Sequence, residues 1–247
     1  MTTYLLALTI AASCSADSLG PMDEGAPTYV CQRAAGKIKI DGKLDEETWS
    51  KAEPTERFVF PWPDQPGDKH RTTAQLCWDD EALYVAYTCR DKDLTAKHED
   101  RDDPTYEDDC VEVFINPAPD KSLFYYGLEM NCRGVLFDYF YAWPTCNLYD
   151  FDMKGAQVGA TWIGTLNDRD DRDRKWTLEV KIPYKNFRGL YTGPPVDGQQ
   201  WRMQMNRWDG KDRRILSEWN PSGRTVPDPH RPAGFGVLQF SGERVGE

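Results

Sequence analysis

The feature that most narrows the folds open to this chain is its punctuation. From about residue 29 to residue 240, short runs of alternating apolar and polar residues follow one another, each stopped by Gly, Pro, Asn or Asp. A period of two places successive side chains on opposite faces of a strand, whereas an amphipathic helix needs apolar residues three and four apart. Strands are therefore expected at 71–78, 83–89, 110–115, 125–132, 135–141, 159–166, 176–182, 201–208 and 236–240. Asp79-Asp80-Glu81-Ala82 between the first two reads as the turn of a β-hairpin. Helical character is confined to 46–52 and 184–187, too little to supply parallel crossovers. The pattern predicts an all-β chain: an antiparallel β-sandwich with jelly-roll or immunoglobulin-like layers and one or two short helices. At 247 residues, such a sandwich forms a single domain.

Charge and the first residues bound the partners. With 30 Lys and Arg against 41 Asp and Glu, the net charge of −11 repels nucleic acid and anionic membrane surfaces. The apolar run at 4–12 is too short to span a bilayer but has the length of a signal-peptide core, and Ala12-Ser13-Cys14-Ser15-Ala16 follows it. We therefore expect export to an extracellular, periplasmic or surface-anchored location, with a signal peptide or lipoprotein signal over 1–16. In the lipoprotein case Cys14 carries the lipid anchor. The polar stretch 17–28 reads as a flexible tether and 29–242 as the folded sandwich. The cysteines at 31, 77, 89, 110, 132 and 146 suit either disulfides or small buried strand positions, and the lack of a C-x-x-C pair argues against structural zinc.

Alternation also sorts the polar residues. Val111, Val113 and Ile115 share a core face, so Glu112 stands on the opposite face with Cys110 and Phe114. Tyr126, Leu128 and Met130 likewise oppose Glu129 and Asn131, and Met203 and Met205 oppose Gln204 and Asn206. Three strands thus present long polar side chains away from an apolar layer, a surface suited to hydroxyl-rich ligands. Trp49, Trp78 and Trp176 are assigned to the core, and Trp62, Trp143, Trp208 and Trp219 to loops or the polar face. The segments 58–70 and 142–158 are long enough to border a binding surface. The acidic run 168–173 reads as a solvated hairpin tip.

Several motifs occur in a recognisable order: Ile40-Asp41-Gly42-Lys43-Leu44-Asp45-Glu46 with Trp49, then Trp78-Asp79-Asp80, then Asp109-Cys110-Val111-Glu112-Val113-Phe114-Ile115. They continue with Tyr125-Tyr126-Gly127-Leu128-Glu129-Met130-Asn131, Trp201-Arg202-Met203-Gln204-Met205-Asn206-Arg207 and Asp228-Pro229-His230-Arg231-Pro232. Together they resemble carbohydrate-binding module family 9 and its DOMON-like relatives across nearly the whole span 29–240. The resemblance implies a monomeric, cofactor-free module that binds a saccharide or glycan end without cleaving it, in support of extracellular polysaccharide use. In that family two aromatic rings sandwich the sugar while a Glu, an Arg and a Gln hydrogen-bond it. Motif by motif, the first ring falls on Tyr106, the Glu on Glu112 and the Gln on Gln204. The position of the Arg holds Glu129, and the second ring falls in 227–231, where His230 is the candidate.

The expected carbohydrate-binding set is therefore Tyr106, Glu112, Glu129, Asn131, Gln204, Arg207, Trp219 and His230, with no catalytic residue. Asp41 and Asp45 organise the opening turn and are candidate ligands of a structural calcium. Simpler roles compete: Glu112 and Arg207 would form a cross-strand ion pair, and His230 would be a turn residue. Two other functions stand as alternatives. A glycoside hydrolase would use Glu112 and Glu129, held about 5 to 10 Å apart across the sugar bond. A haem-binding DOMON-like domain would draw on His70, His98, His230 or the core-facing Met130, Met203 and Met205. No Gly-x-Ser-x-Gly elbow points to a serine nucleophile.

Overall fold

Residues 25–65, 71–210 and 214–247 are described in a computed structural model of the chain. The expected signal segment 1–16 with Cys14, most of the tether, and His70 lie outside the described residues. The strands are β1 (Thr28–Arg33), β2 (Thr72–Trp78), β3 (Ala82–Arg90), β4 (Cys110–Asn116), β5 (Tyr125–Asn131) and β6 (Leu136–Ala142). They continue with β7 (Cys146–Leu148), β8 (Gln157–Ile163), β9 (Lys175–Pro183), β10 (Gln200–Asp209), β11 (Ile215–Glu218) and β12 (Gly236–Arg244). One short helix, α1 (Glu47–Lys51), and a 3-10 turn at Tyr184–Phe187 occupy the two expected helical segments. Three elements had not been expected, β1, β7 and β11, along with 3-10 turns at Thr105–Glu107 and Pro232–Gly234. These are short, so their alternation is too brief to stand out.

Hydrogen bonding runs through the order β7-β6-β5-β4-β10-β12-β1-β2-β3-β9-β8, with β11 beside β10. This sheet curls over so that its two halves face each other as layers. The ladders are antiparallel except at β1, which pairs in parallel with both β12 and β2 and so joins the halves. Val111, Val113 and Ile115 of β4, Leu128 and Met130 of β5, and Met203 and Met205 of β10 share one core with Leu76, Val85 and Leu178. Across the layers, the buried Tyr87 hydroxyl of β3 donates to the Glu112 carbonyl of β4 at 2.9 Å. Trp49, Trp78 and Trp176 are buried, as alternation and position required. The cysteines of the described residues are free thiols, all buried except Cys146.

The opening motif has a structural task. Glu179 on the outer face of β9 accepts from Trp49 Nε1 at 2.6 Å, from the Gly42 amide at 2.8 Å and from the Asp41 amide at 3.2 Å. Gly42 has φ +80° and lies so near β8 that an added Cβ would come within 2.4 Å of the Ala160 backbone. Only glycine fits a left-handed turn pressed that closely on a strand. The expected hairpin tip 168–173 is exposed apart from Asp173, which turns inward and accepts from the Leu94 and Thr165 amides.

Candidate functional site

Register brings the polar faces of β4, β5, β6 and β10 together. Glu112 is the direct ladder partner of Glu129 on one side and of Asn206 on the other. Next along, Gly127 lies between Phe114 and Tyr139, and the absence of a side chain there lets the Tyr139 ring lie flat on the sheet. Phe114, Tyr125, Tyr139 and Phe235 form a small apolar cluster of their own on this outer face. Over it opens a cleft of about 660 Å³. Glu112, Glu129 and Tyr139 line its floor, and Tyr106, Phe137 and Tyr149 form a run of rings in its wall. Tyr106 meets Phe137 edge-on at 5.8 Å, and Phe137 stacks on Tyr149 at 5.8 Å.

His230 also lines the cleft; its ring stacks on Phe114 at 4.9 Å, and its Nδ1 lies 2.6 Å from the Tyr125 hydroxyl. Burial pushes its pKa down to about 4, so the ring is neutral near pH 7. A neutral ring that accepts the Tyr125 proton at Nδ1 carries its own on Nε2. Arg214 ties the wall together, donating to the carbonyls of Tyr106, Glu107, Asp108 and Gly210 while its guanidinium lies over the Trp208 ring.

The floor is electrostatically tense. Burial, and then the neighbouring Glu129 charge, hold the Glu112 carboxyl well above the usual carboxylate range. Burial pushes Glu129 up to about 7. Two acids so placed cannot both ionise readily, and the pair retains a proton near neutrality. Asn206 Nδ2 donates to Glu112 Oε2 at 3.1 Å. Glu129 Oε2 and Tyr139 OH have no partner on this floor beyond each other, and Asn206 Oδ1 is buried behind it without one. Carboxyl and hydroxyl oxygens with spare acceptor capacity are groups a polar ligand can satisfy.

A family model described as carbohydrate family 9 binding domain-like matches residues 40–242. The chain belongs to this family. It is 33% identical over 225 residues to Exoglucanase XynX of Acetivibrio thermocellus and 26% identical over 219 residues to Endo-1,4-beta-xylanase A of Thermoanaerobacterium saccharolyticum. Those alignments take in 89% and 85% of this chain but 18% and 16% of the two relatives, so this chain spans less than a fifth of either. Among solved structures, a Bacteroides uniformis protein provisionally described as carbohydrate-binding superposes with a TM-score of 0.71 at 19% identity, covering 87% of this chain and 100% of that one. A family 9 module of Caldicellulosiruptor kristjanssonii in complex with cellotriose gives 0.61 at 17% identity, covering 87% of this chain and 95% of that one. At these identities the structural likeness is one of fold.

Within this family 9 sandwich, four of the expected site residues meet at the cleft: Tyr106, Glu112, Glu129 and His230. The other four are held elsewhere. Asn131 is on the expected face but buried, with Nδ2 donating to Asp108 and the His98 carbonyl and Oδ1 accepting from the Arg133 and Val135 amides, so it shapes the β5–β6 turn. Gln204 is buried under the loop after β11, where it bonds both the amide and the carbonyl of Asn220. Arg207 departs from the expectation more completely. It has the parity of Met203 and Met205, so it points into the core at 1% exposure and binds Asp91 at 2.7 Å, the Arg90 carbonyl at 2.8 Å and Asp209. The ion pair expected between Glu112 and Arg207 is absent, because Asn206 and not Arg207 faces Glu112. Trp219 is in the main core at 8% exposure, packed so tightly on Gly236 that an added Cβ would meet its ring at 2.4 Å.

Asp41 accepts from Lys39 Nζ and from the Lys43 amide, and Asp45 is exposed. Among the described residues, the carboxylates close enough together to hold a cation are Asp91, Asp109 and Asp209. The Arg207 guanidinium already binds the first and last of them. Of the cleft residues not expected, Phe137 and Tyr139 follow the alternation of β6 and were readable from it. Tyr149, Lys97 and Arg214 arrive on loops and left no local signal.

Proposed function

We propose that this family 9 domain binds a saccharide without cleaving it, in the cleft above Glu112 and Glu129. The observation that carries the reading is the pairing of exposed rings with buried polar groups: Tyr106 is 44% exposed beside a floor where Glu112, Glu129 and Tyr139 hold oxygens with spare hydrogen-bonding capacity. A sugar needs both, rings for its C–H face and planar polar groups for its hydroxyls. The cleft volume falls in the usual range for small ligands. The cellotriose bound by the Caldicellulosiruptor module supports the same ligand class.

Hydrolysis would need two carboxyls flanking the glycosidic bond. Here Glu112 and Glu129 are side-by-side ladder partners on one floor, which sets both beneath a resting sugar. Sugar exchanging water bonds for protein bonds gains little, so affinity of about micromolar to millimolar is expected. Export is part of the proposal and is supported by the apolar run at 4–12 and the small residues after it.

A glycan array followed by calorimetry, with Tyr106→Ala and His230→Ala in parallel, tests the reading. Binding without release of reducing sugar, weakened at least about fivefold by either change, is expected, since each removes a ring contact of about 1 kcal/mol or more. Failure to bind any saccharide, or sugar release that disappears in Glu112→Gln, would overturn it.

A further inference from the structure

The geometry points to a cationic sugar as the preferred ligand: an amino sugar whose ammonium group sits on the floor between Glu112 and Glu129. This deepens the saccharide-binding reading and rests on it. Three observations carry it. First, the two carboxyls are directly opposed on adjacent strands, which brings their Cβ atoms to about 4.5–5.5 Å, and both are buried at the bottom of an open cleft.

Second, the floor has more acceptors than donors. Glu112 takes donors from Asn206 Nδ2 and Trp208, and Glu129 takes one from the Tyr139 hydroxyl alone, so carboxylate lone pairs remain unfilled. A sugar hydroxyl brings one hydrogen, whereas an ammonium brings three and a charge.

Third, the cations around the cleft are engaged. Among the described residues, Lys97 pairs with Glu107, and Arg214 aims its N–H groups at four carbonyls, offsetting only part of the Glu112 shift. His230 is neutral by burial, and Asp108, which accepts from the Lys97 and His98 amides and from Asn131, adds negative charge. No Lys or Arg of the described residues forms an ion pair with Glu112 or Glu129. An empty floor must therefore hold a proton to relieve the pair. An ammonium replaces that proton, which leaves to solvent, and both carboxylates ionise against it.

The test is titration calorimetry of the full chain at pH 6.5 with a β-1,4-linked glucosamine trisaccharide, its N-acetylated form and cellotriose, in two buffers of different ionisation enthalpy. The amino trisaccharide is expected to bind at least about tenfold more tightly than the neutral two, the effect of one charge-assisted hydrogen bond, with protons released to buffer. In Glu129→Gln the ratio of affinities should fall to about one. Equal or tighter binding of the neutral sugars by the wild-type chain overturns this inference and leaves saccharide binding standing. Absence of binding to all three overturns the saccharide reading itself.

Discussion

Gly127→Ala is a sharp perturbation because it adds one methyl group under the ring that floors the cleft. The new Cβ would lie 2.3 Å from Tyr139 Cζ and 2.6 and 2.7 Å from the two flanking ring carbons. Carbon contacts settle near 3.5–4.0 Å, so the ring must retreat by about 1 Å or more. It cannot do so freely, since Tyr139 is buried among Phe114, Tyr125, Phe137 and Tyr149. Overpacking of this kind costs about 1–3 kcal/mol. For a domain of this size that lowers Tm by roughly 2–12 °C. Raising Tyr139 into the cleft should also weaken ligand binding.

The reasoning is separable from a generic strand effect. In a Tyr139→Ala background the clash is gone, and alanine should then be favoured over glycine by about 0.5–1 kcal/mol. Urea denaturation of the four proteins of this cycle should show the effect of Gly127→Ala changing sign between backgrounds. Equal costs in both would mean that the ring does not depend on the missing Cβ, and the account of the floor would be refuted.

The other predictions follow from burial and charge. Glu129 is held at about 7 when folded against 4.5 for the ordinary group, so the native state binds the extra proton and its stability is complete below about pH 4.5 and falls as pH rises through 7. Glu129→Gln cannot lose that proton, so denaturation curves at pH 8 should place it above wild type by up to about 3 kcal/mol, with little gain at pH 4. Arg207→Met removes the guanidinium that buried Asp91 and Asp209 share and should cost about 3–5 kcal/mol by urea denaturation. A negligible loss would mean that the two acids do not depend on it. Trp49→Phe removes a 2.6 Å bond to buried Glu179 and should cost about 1–3 kcal/mol by chemical denaturation. A neutral result would mean that the Asp41 and Gly42 amides hold the opening turn alone.

Much of this was legible along the chain. The nine longer strands follow from alternation, and so does the separation of Glu112, Glu129 and Gln204 from Val113, Leu128 and Met205. Arg207 was legible too: two residues beyond Met205, it shares the inward face, and its long polar side chain misled where its parity did not. Trp219 carried no such signal, because it follows a four-residue strand whose sidedness depends on β10. The parallel placement of β1 between β12 and β2 was equally invisible, since nothing in six residues names neighbours more than forty and two hundred positions away.

Local alternation settles on which side of a strand a residue emerges, because the pleat repeats every two residues whatever surrounds it. It does not settle whether that side is open to water. Asn131 and Gln204 emerge beside Glu112 and Glu129 yet are capped by turns and loops, while Tyr106, Tyr149 and Arg214 are carried to the cleft on segments distant in sequence. Exposure is a property of what packs above a surface, and only the assembled chain contains that information.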